Sequence, residues 1–255
     1  MGDKANRPIK ALLTMQEYIE EMKGTDQIGV TELAERVGRP ASVTHDYLST
    51  LQQLGHVTKA NGKYQLSLRH LELGSTVRNR IPLYSIARHD VKQLAQESRS
   101  EMVTLSIEEQ GLCVALDVTL SSRNIDYETF PGMHFHMHSS GAGKAILAQY
   151  SEERVHEILD RHGLPAQTEN TITDRDELFT ELEEVQKEGV AFDREEYRSR
   201  MQTIAAPIMD SNEKAVGALS VSGPSHRLRE PGTEKELKSS LLSTVNVIEL
   251  NYASQ

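Results

Sequence analysis

Between Thr31 and Leu66 two short helical patterns, separated by a glycine, are followed at once by a tight hairpin. In TELAERVG, Leu33, Ala34 and Val37 form one apolar face, Thr31 is a helix-capping candidate and Gly38 stops the run. The chain restarts with Pro40 at a suitable first helical position, and Val43, Tyr47, Leu48, Leu51 and Leu54 recur on one face up to Gly55. HVTKANGKYQL then offers two β-compatible runs, around Val57 and from Tyr64 to Leu66, joined across Asn61-Gly62, a dipeptide suited to the positive φ of a hairpin turn. Two helices on a short glycine turn with a hairpin behind them predict a winged helix-turn-helix over 9–66. An amphipathic run over 9–22, with Ile9, Leu12, Leu13, Met15, Ile19 and Met22, supplies a helix to pack against it.

Such a unit binds nucleic acid only if its charge allows it, and the net charge of −10 at first argues against that. The charge is unevenly divided: residues 1–80 carry +2 and the remaining residues −12. From Arg36 to Lys63 the balance is +3, a mild basic segment in an acidic protein. With 37% apolar and 26% charged residues the chain reads as globular, and 255 residues suffice for two ordinary domains. No stretch approaches eighteen consecutive apolar residues and the start MGDKANRPIK is charged, so a cytoplasmic protein without a membrane span is expected. The single cysteine, Cys113, cannot form an internal disulfide, which suits a reducing compartment.

Beyond the hairpin, residues 67–80 read as a helix that Pro82 interrupts, and a second helix over 83–99 leads into the rest of the chain. MVTLSIEEQGLCVALDVTL is two β-rich runs around Gln110-Gly111, and the strand signal returns at 134–138, 203–209 and 215–222. Helical patterns fall at 143–150, 152–161, 175–188 and 234–250. Dispersed strands with helices between them predict the α+β class, an antiparallel or mixed sheet with helices packed on it.

The order of winged helix, SSGAGKAILAQ, GVAFDREE, IAAPIMD and ALSVSGP resembles the IclR family of transcriptional regulators over almost the whole chain. HGLPAQTENTITDRDEL looks most like members from salt-loving archaea. The resemblance implies a DNA-binding domain in 1–80, containing the start of a linker helix, and a GAF-like effector-binding domain in 81–255 with an antiparallel sheet flanked by helices. It further implies a homodimer or dimer of dimers that represses or activates genes of small-molecule catabolism by binding a pseudo-palindromic operator in double-stranded DNA. No catalytic residue and no cofactor are expected.

A helix entering the major groove presents its N-terminal side chains to base edges, which points to Ala41, Ser42, Thr44 and His45, while Leu48, Leu51 and Leu54 pack inward. Arg36, Arg39, Lys59 and Lys63 are the phosphate candidates. In the second domain, Gly141-Ala142-Gly143-Lys144-Ala145 fails as a phosphate loop, because His138 and Ala145 stand where the loop needs Gly and Ser or Thr. It remains a glycine-containing turn ahead of a helix, and by resemblance Gly141 and Ala142 wall the metabolite pocket. Asp193 and Thr203 carry over in the same way, and Ser220 and Ser222 do so as alternate residues facing one side of a strand. Hydroxyls and one carboxylate around a helix start suit a small anionic effector such as a keto or sugar acid. Where family members commonly read Gly-x-x-Cys, this chain reads Arg200-Met201-Gln202-Thr203, which predicts a bulkier, more basic rim with Arg198 and Arg200 nearby.

Two alternatives arise from the residues. His134, His136 and His138 project from one strand face and form a possible metal set for a sensor acting through a protein partner, although such neighbours stand about 6.5–7 Å apart, too far to share one ion without a bend. Cys113, in an apolar strand run without an evident histidine, reads as core and not as a nucleophile.

Overall fold

The computed structural model describes residues 5–98, 102–121 and 129–254. They divide into two compact units, one ending at Arg80 and the other beginning at Ile81. In the first, α1 (Lys10–Lys23), α2 (Val30–Arg36) and α3 (Ala41–Gln53) precede the hairpin β1 (Val57–Ala60) and β2 (Lys63–Leu66), and α4 (Arg69–Asn79) ends the unit. Asn61 and Gly62 both take positive φ, so two residues suffice to reverse the chain and set Ala60 opposite Lys63. Ile28 bridges Tyr64 from the other side, and Tyr18, Met22, Ile28, Leu33, Leu48, Leu51, Val57 and Tyr64 close one small core.

Several expectations for this unit are corrected. The second helix begins one residue before Thr31, with Gly29 as its cap. Leu54 is exposed because the helix has already ended at Gln53. Ile9, Leu12 and Leu13 are exposed, since α1 packs through Thr14, Tyr18 and Met22, positions four apart. No residue of α4 is buried, and its Leu71, Leu73 and Val77 face outward.

In the second unit α5 (Pro82–Glu97) is followed by β3 (Met102–Glu109), β4 (Leu112–Leu120), β5 (His134–His136), α6 (Gly141–Leu147), α7 (Glu152–His162), α8 (Arg175–Glu188), β6 (Ala191–Arg194), β7 (Met201–Met209), β8 (Ala215–Pro224), α9 (Ser225–Leu228) and α10 (Thr233–Ala253). The six strands pair antiparallel in the order β5-β4-β3-β8-β7-β6. The four-residue β6, inside GVAFDREE, gave no strand signal in the sequence because it is too short for alternation to register. The predicted strand over 134–138 stops at His136.

Strand alternation sorts the side chains into two layers. Ile204, Ala206 and Ile208 of β7 with Leu219 and Val221 of β8 join the core shared with α5 and α10. The intervening Ala205 and Ala218 join the core of α6, α7 and α8. That second face is built from small residues, and α6 comes close to it. A Cβ on Gly141 would lie 3.2 Å from Thr203 Cγ2, and one on Gly143 would collide with the Met137 carbonyl.

Candidate functional site

The outward face of α3 is polar. Ala41, Ser42 and His45 are exposed, and Ser49 extends their face at the next helical spacing. Thr44 is the exception and a correction to the expected base contacts: it is fully buried, with its hydroxyl 3.0 Å from Tyr18 Oη, so it ties α3 to α1. The phosphate candidates fall into two kinds. Lys59 and Lys63 stand exposed on the hairpin, Lys59 4.9 Å above the Tyr64 ring. Arg36 is ion-paired to Glu32 at 2.7 Å and Arg39 to Glu17 at 2.5 Å, which neutralises part of the charge each would offer to DNA.

In the second unit Gly141, Ala142, Asp193, Thr203, Ser220 and Ser222 all line one cavity of about 70 Å³. Sheet register explains the convergence. Asp193, Thr203, Ser222 and Met102 lie side by side across β6, β7, β8 and β3, and Ala205, Ser220 and Thr104 form the next row on the same face. Sequence reading missed Met102, Thr104, Ser106, Thr129, Phe135, Ser140 and Tyr197, and it placed Cys113 in the core when that residue also lines the cavity. Strand alternation places Thr104 and Ser106 on one face, but nothing local says which face meets a void. Arg198 and Arg200 are exposed and do not themselves line the cavity, although Tyr197, next to Arg198, does.

Burial dominates the electrostatics. Asp193 is 6% exposed; loss of hydration, reinforced by the charge of Glu196, pushes its carboxyl up to about 7, although its Oδ1 accepts from the Glu196 and Tyr197 backbone N–H groups at 2.7 and 3.3 Å. Glu196 is also raised by burial, against the pull of Lys144. Lys144, the lysine of the GAGKA segment, is fully buried and donates to both Glu196 oxygens at 2.7 and 2.8 Å and to Glu181 at 2.8 Å. Its charge is therefore spent on α8 and on the turn after β6. Burial likewise pushes the Cys113 thiol up to about 11, so it stays protonated and unreactive near neutrality.

The histidine set does not assemble as a metal site. His134 is exposed with Nδ1 2.9 Å from the Gly132 carbonyl, while His138, beyond the strand, is buried and donates from Nε2 to the Pro165 carbonyl at 3.2 Å. The His136 ring instead lies 5.7 Å from that of His138 and 6.4 Å from that of His162. Among the described residues no three His, Cys, Asp or Glu side chains are placed to hold a metal ion.

Comparison with known proteins agrees with this architecture. Residues 75–250 match the model described as the bacterial transcriptional regulator IclR C-terminal domain, and residues 18–60 match the IclR helix-turn-helix domain. The chain is 33% identical over 222 residues to the transcriptional repressor IclR of Escherichia coli, covering 86% of this chain and 80% of that one. The crystal structure of Thermotoga maritima IclR aligns with a TM-score of 0.81 at 26% identity, over 96% of this chain and 99% of that one. An IclR homologue from Microbacterium hydrocarbonoxydans, complexed with 4-hydroxybenzoate, aligns with a TM-score of 0.78 at 21% identity, over 96% and 100%. A winged helix-turn-helix, a six-stranded antiparallel sheet flanked by helices, and family models spanning both parts together make this chain a member of the IclR family of DNA-binding transcriptional regulators.

Proposed function

We propose that this regulator binds a pseudo-palindromic operator as a homodimer, and that a small anionic metabolite in the Asp193 cavity sets its DNA affinity. The observation that carries the effector reading is the convergence of Gly141, Ala142, Asp193, Thr203, Ser220 and Ser222 on one cavity. A site of hydroxyls and a carboxyl favours a ligand that can hydrogen-bond at several atoms. At about 70 Å³ the cavity is small for a ligand site, which favours a short keto acid over a sugar acid. The related homologue that holds 4-hydroxybenzoate supports an acid as the general class. Burial pushes the Asp193 carboxyl up to about 7, so near neutrality it is able to hold a proton and donate it to a ligand carboxylate.

Two-fold assembly is supported by the surface of the first unit. An eleven-residue helix with no buried side chain is marginal in water, and α4 presents Leu71, Leu73 and Val77, as α1 presents Ile9, Leu12 and Leu13. A second copy covering these residues would bury them and set two α3 helices on successive half-sites. We place this activity in the cytoplasm; among the described residues no helix is long and apolar enough to cross a membrane.

The test joins both halves. Footprinting on the protein's own promoter region should give a protected two-fold site whose occupancy falls with salt. A panel of short keto and hydroxy acids should then raise the melting temperature and shift operator affinity by about 5–150-fold, and Ser222→Leu should remove both effects. A footprint with no discrete site would refute the operator reading. An acid that still acts on Ser222→Leu would place the effector elsewhere.

A further inference from the structure

Most polar side chains of the Asp193 cavity already have partners. Ser140 Oγ accepts from the Gly143 N–H and donates to the His136 carbonyl, each at 3.2 Å. Thr203 Oγ1 and Ser222 Oγ share a hydrogen bond at 2.9 Å, and Ser220 Oγ donates to the Thr104 carbonyl at 3.3 Å. Thr104 differs from them. It lines the same cavity and is 5% exposed, yet its Oγ1 is buried with no hydrogen-bond partner among the described residues.

Packing does not require a hydroxyl there. Valine has nearly the same shape and at least as high a strand propensity, and it would avoid burying an unpaired donor. The strand also fixes which way the side chain points: Val103 and Leu105 enter the core with α5 and α10, so Thr104 faces the cavity between Met102 and Ser106. Thr104 pairs with Ser220 in register, so the Thr203–Ser222 hydroxyl pair and Asp193 lie in the adjoining row. Diagonal neighbours of this kind stand about 7–8 Å apart, a gap that a ligand with polar groups on neighbouring carbons bridges with one hydrogen bond at each end.

We propose that Thr104 is an effector-contacting, specificity-determining residue whose hydroxyl pairs with an oxygen of a short acid substituted at carbon 2, the acid's other polar end meeting the diagonal Ser222 hydroxyl. This rests on the effector reading above and adds the residue that separates an oxygenated acid from its bare counterpart. An aliphatic acid of the same length leaves the Thr104 hydroxyl unpaired and is discriminated against for that reason.

The experiment uses the full-length protein with pyruvate, lactate, 2-oxobutyrate and glycerate as probes, and propionate as the acid without an oxygen at carbon 2. Wild type should bind at least one oxygenated acid, and propionate about 10-fold or more weakly. Thr104→Val should melt at the same or a higher temperature than wild type without ligand, bind that acid about 10- to 100-fold more weakly by calorimetry, and lose its preference over propionate. Thr104→Ser should restore most of the affinity. A lower melting temperature for ligand-free Thr104→Val would reveal a structural partner for the hydroxyl and overturn the assignment. Unchanged affinity in Thr104→Val, with binding still abolished in Ser222→Leu, would overturn it while leaving the effector cavity standing. Binding of none of the probes to wild type would remove the short-acid reading and the Thr104 assignment together.

Discussion

Asp193→Asn isolates the buried carboxyl at the centre of the cavity. An ordinary Asp side chain titrates near 3.8, whereas in the folded protein burial pushes this one to about 7. Between those two values the folded state holds a proton that the unfolded state has released, so stability falls as pH rises through the interval and levels off above it. Each unit of that difference is worth about 1.4 kcal/mol, which makes the whole span about 4 kcal/mol and the part between pH 5 and 7 about 3 kcal/mol. Asparagine keeps an oxygen to accept from the Glu196 and Tyr197 N–H groups and has no charge to bury. The variant should therefore gain stability relative to wild type by about 3 kcal/mol on going from pH 5 to pH 8, or roughly 6–12 °C in melting temperature for a unit of this size. Ligand-free melting curves at half-unit steps from pH 4.5 to 8.5, with wild type and variant in the same buffers, cancel the titration of every group not coupled to Asp193. A wild-type-minus-variant difference that stays flat across this range would show that Asp193 is ionised in the folded protein, and the cavity would then hold a fixed negative charge hostile to acids.

Three further outcomes follow from other parts of the molecule. Lys63→Ala should weaken specific and random DNA binding alike and reduce the salt slope by about one, with a smaller effect from Arg39→Ala because Glu17 already neutralises that guanidinium; equal or absent effects in filter-binding titrations would misplace the phosphate face. Arg200 holds a left-handed φ of 65°, so Arg200→Gly should stabilise by about 1 kcal/mol in urea titrations, and a destabilised variant would mean that the Arg200 side chain offsets the strain. Burial pushes His138 down to about 4, so the folded protein keeps it neutral and loses stability as pH falls from about 6.5 towards 4; His138→Gln should flatten that acid limb of the urea midpoint, and an unchanged limb would assign it to other groups.

Helix and strand periodicity are local properties, and so the elements were largely readable from the chain. The run 175–188 is α8 residue for residue, the Gln110-Gly111 turn joins β3 to β4 with both residues at positive φ, and Asn61-Gly62 builds the hairpin of the winged helix. Family resemblance pointed to six residues that line one cavity, five of them inside the quoted motifs and Thr203 just before one. Where local pattern misled, a distant residue had decided the outcome. Thr44 looked like a surface hydroxyl at the start of a recognition helix, yet Tyr18, 26 residues earlier, covers it. His138 continued an alternating pattern, yet the strand ended at His136 and left it to the Pro165 carbonyl.

The sequence by itself determined the two-part plan, the winged helix and the alternation that sorts each strand into two faces, because a period of two or 3.6 residues needs only neighbours along the chain. Tertiary structure alone decided that Thr104 and Ser220, 116 residues apart, share a row, that α6 comes close enough to roof that row, and that Asp193 is stripped of water enough to hold a proton near neutrality. Register and desolvation arise when strands pair and helices cover them, so they depend on atoms that no local window contains.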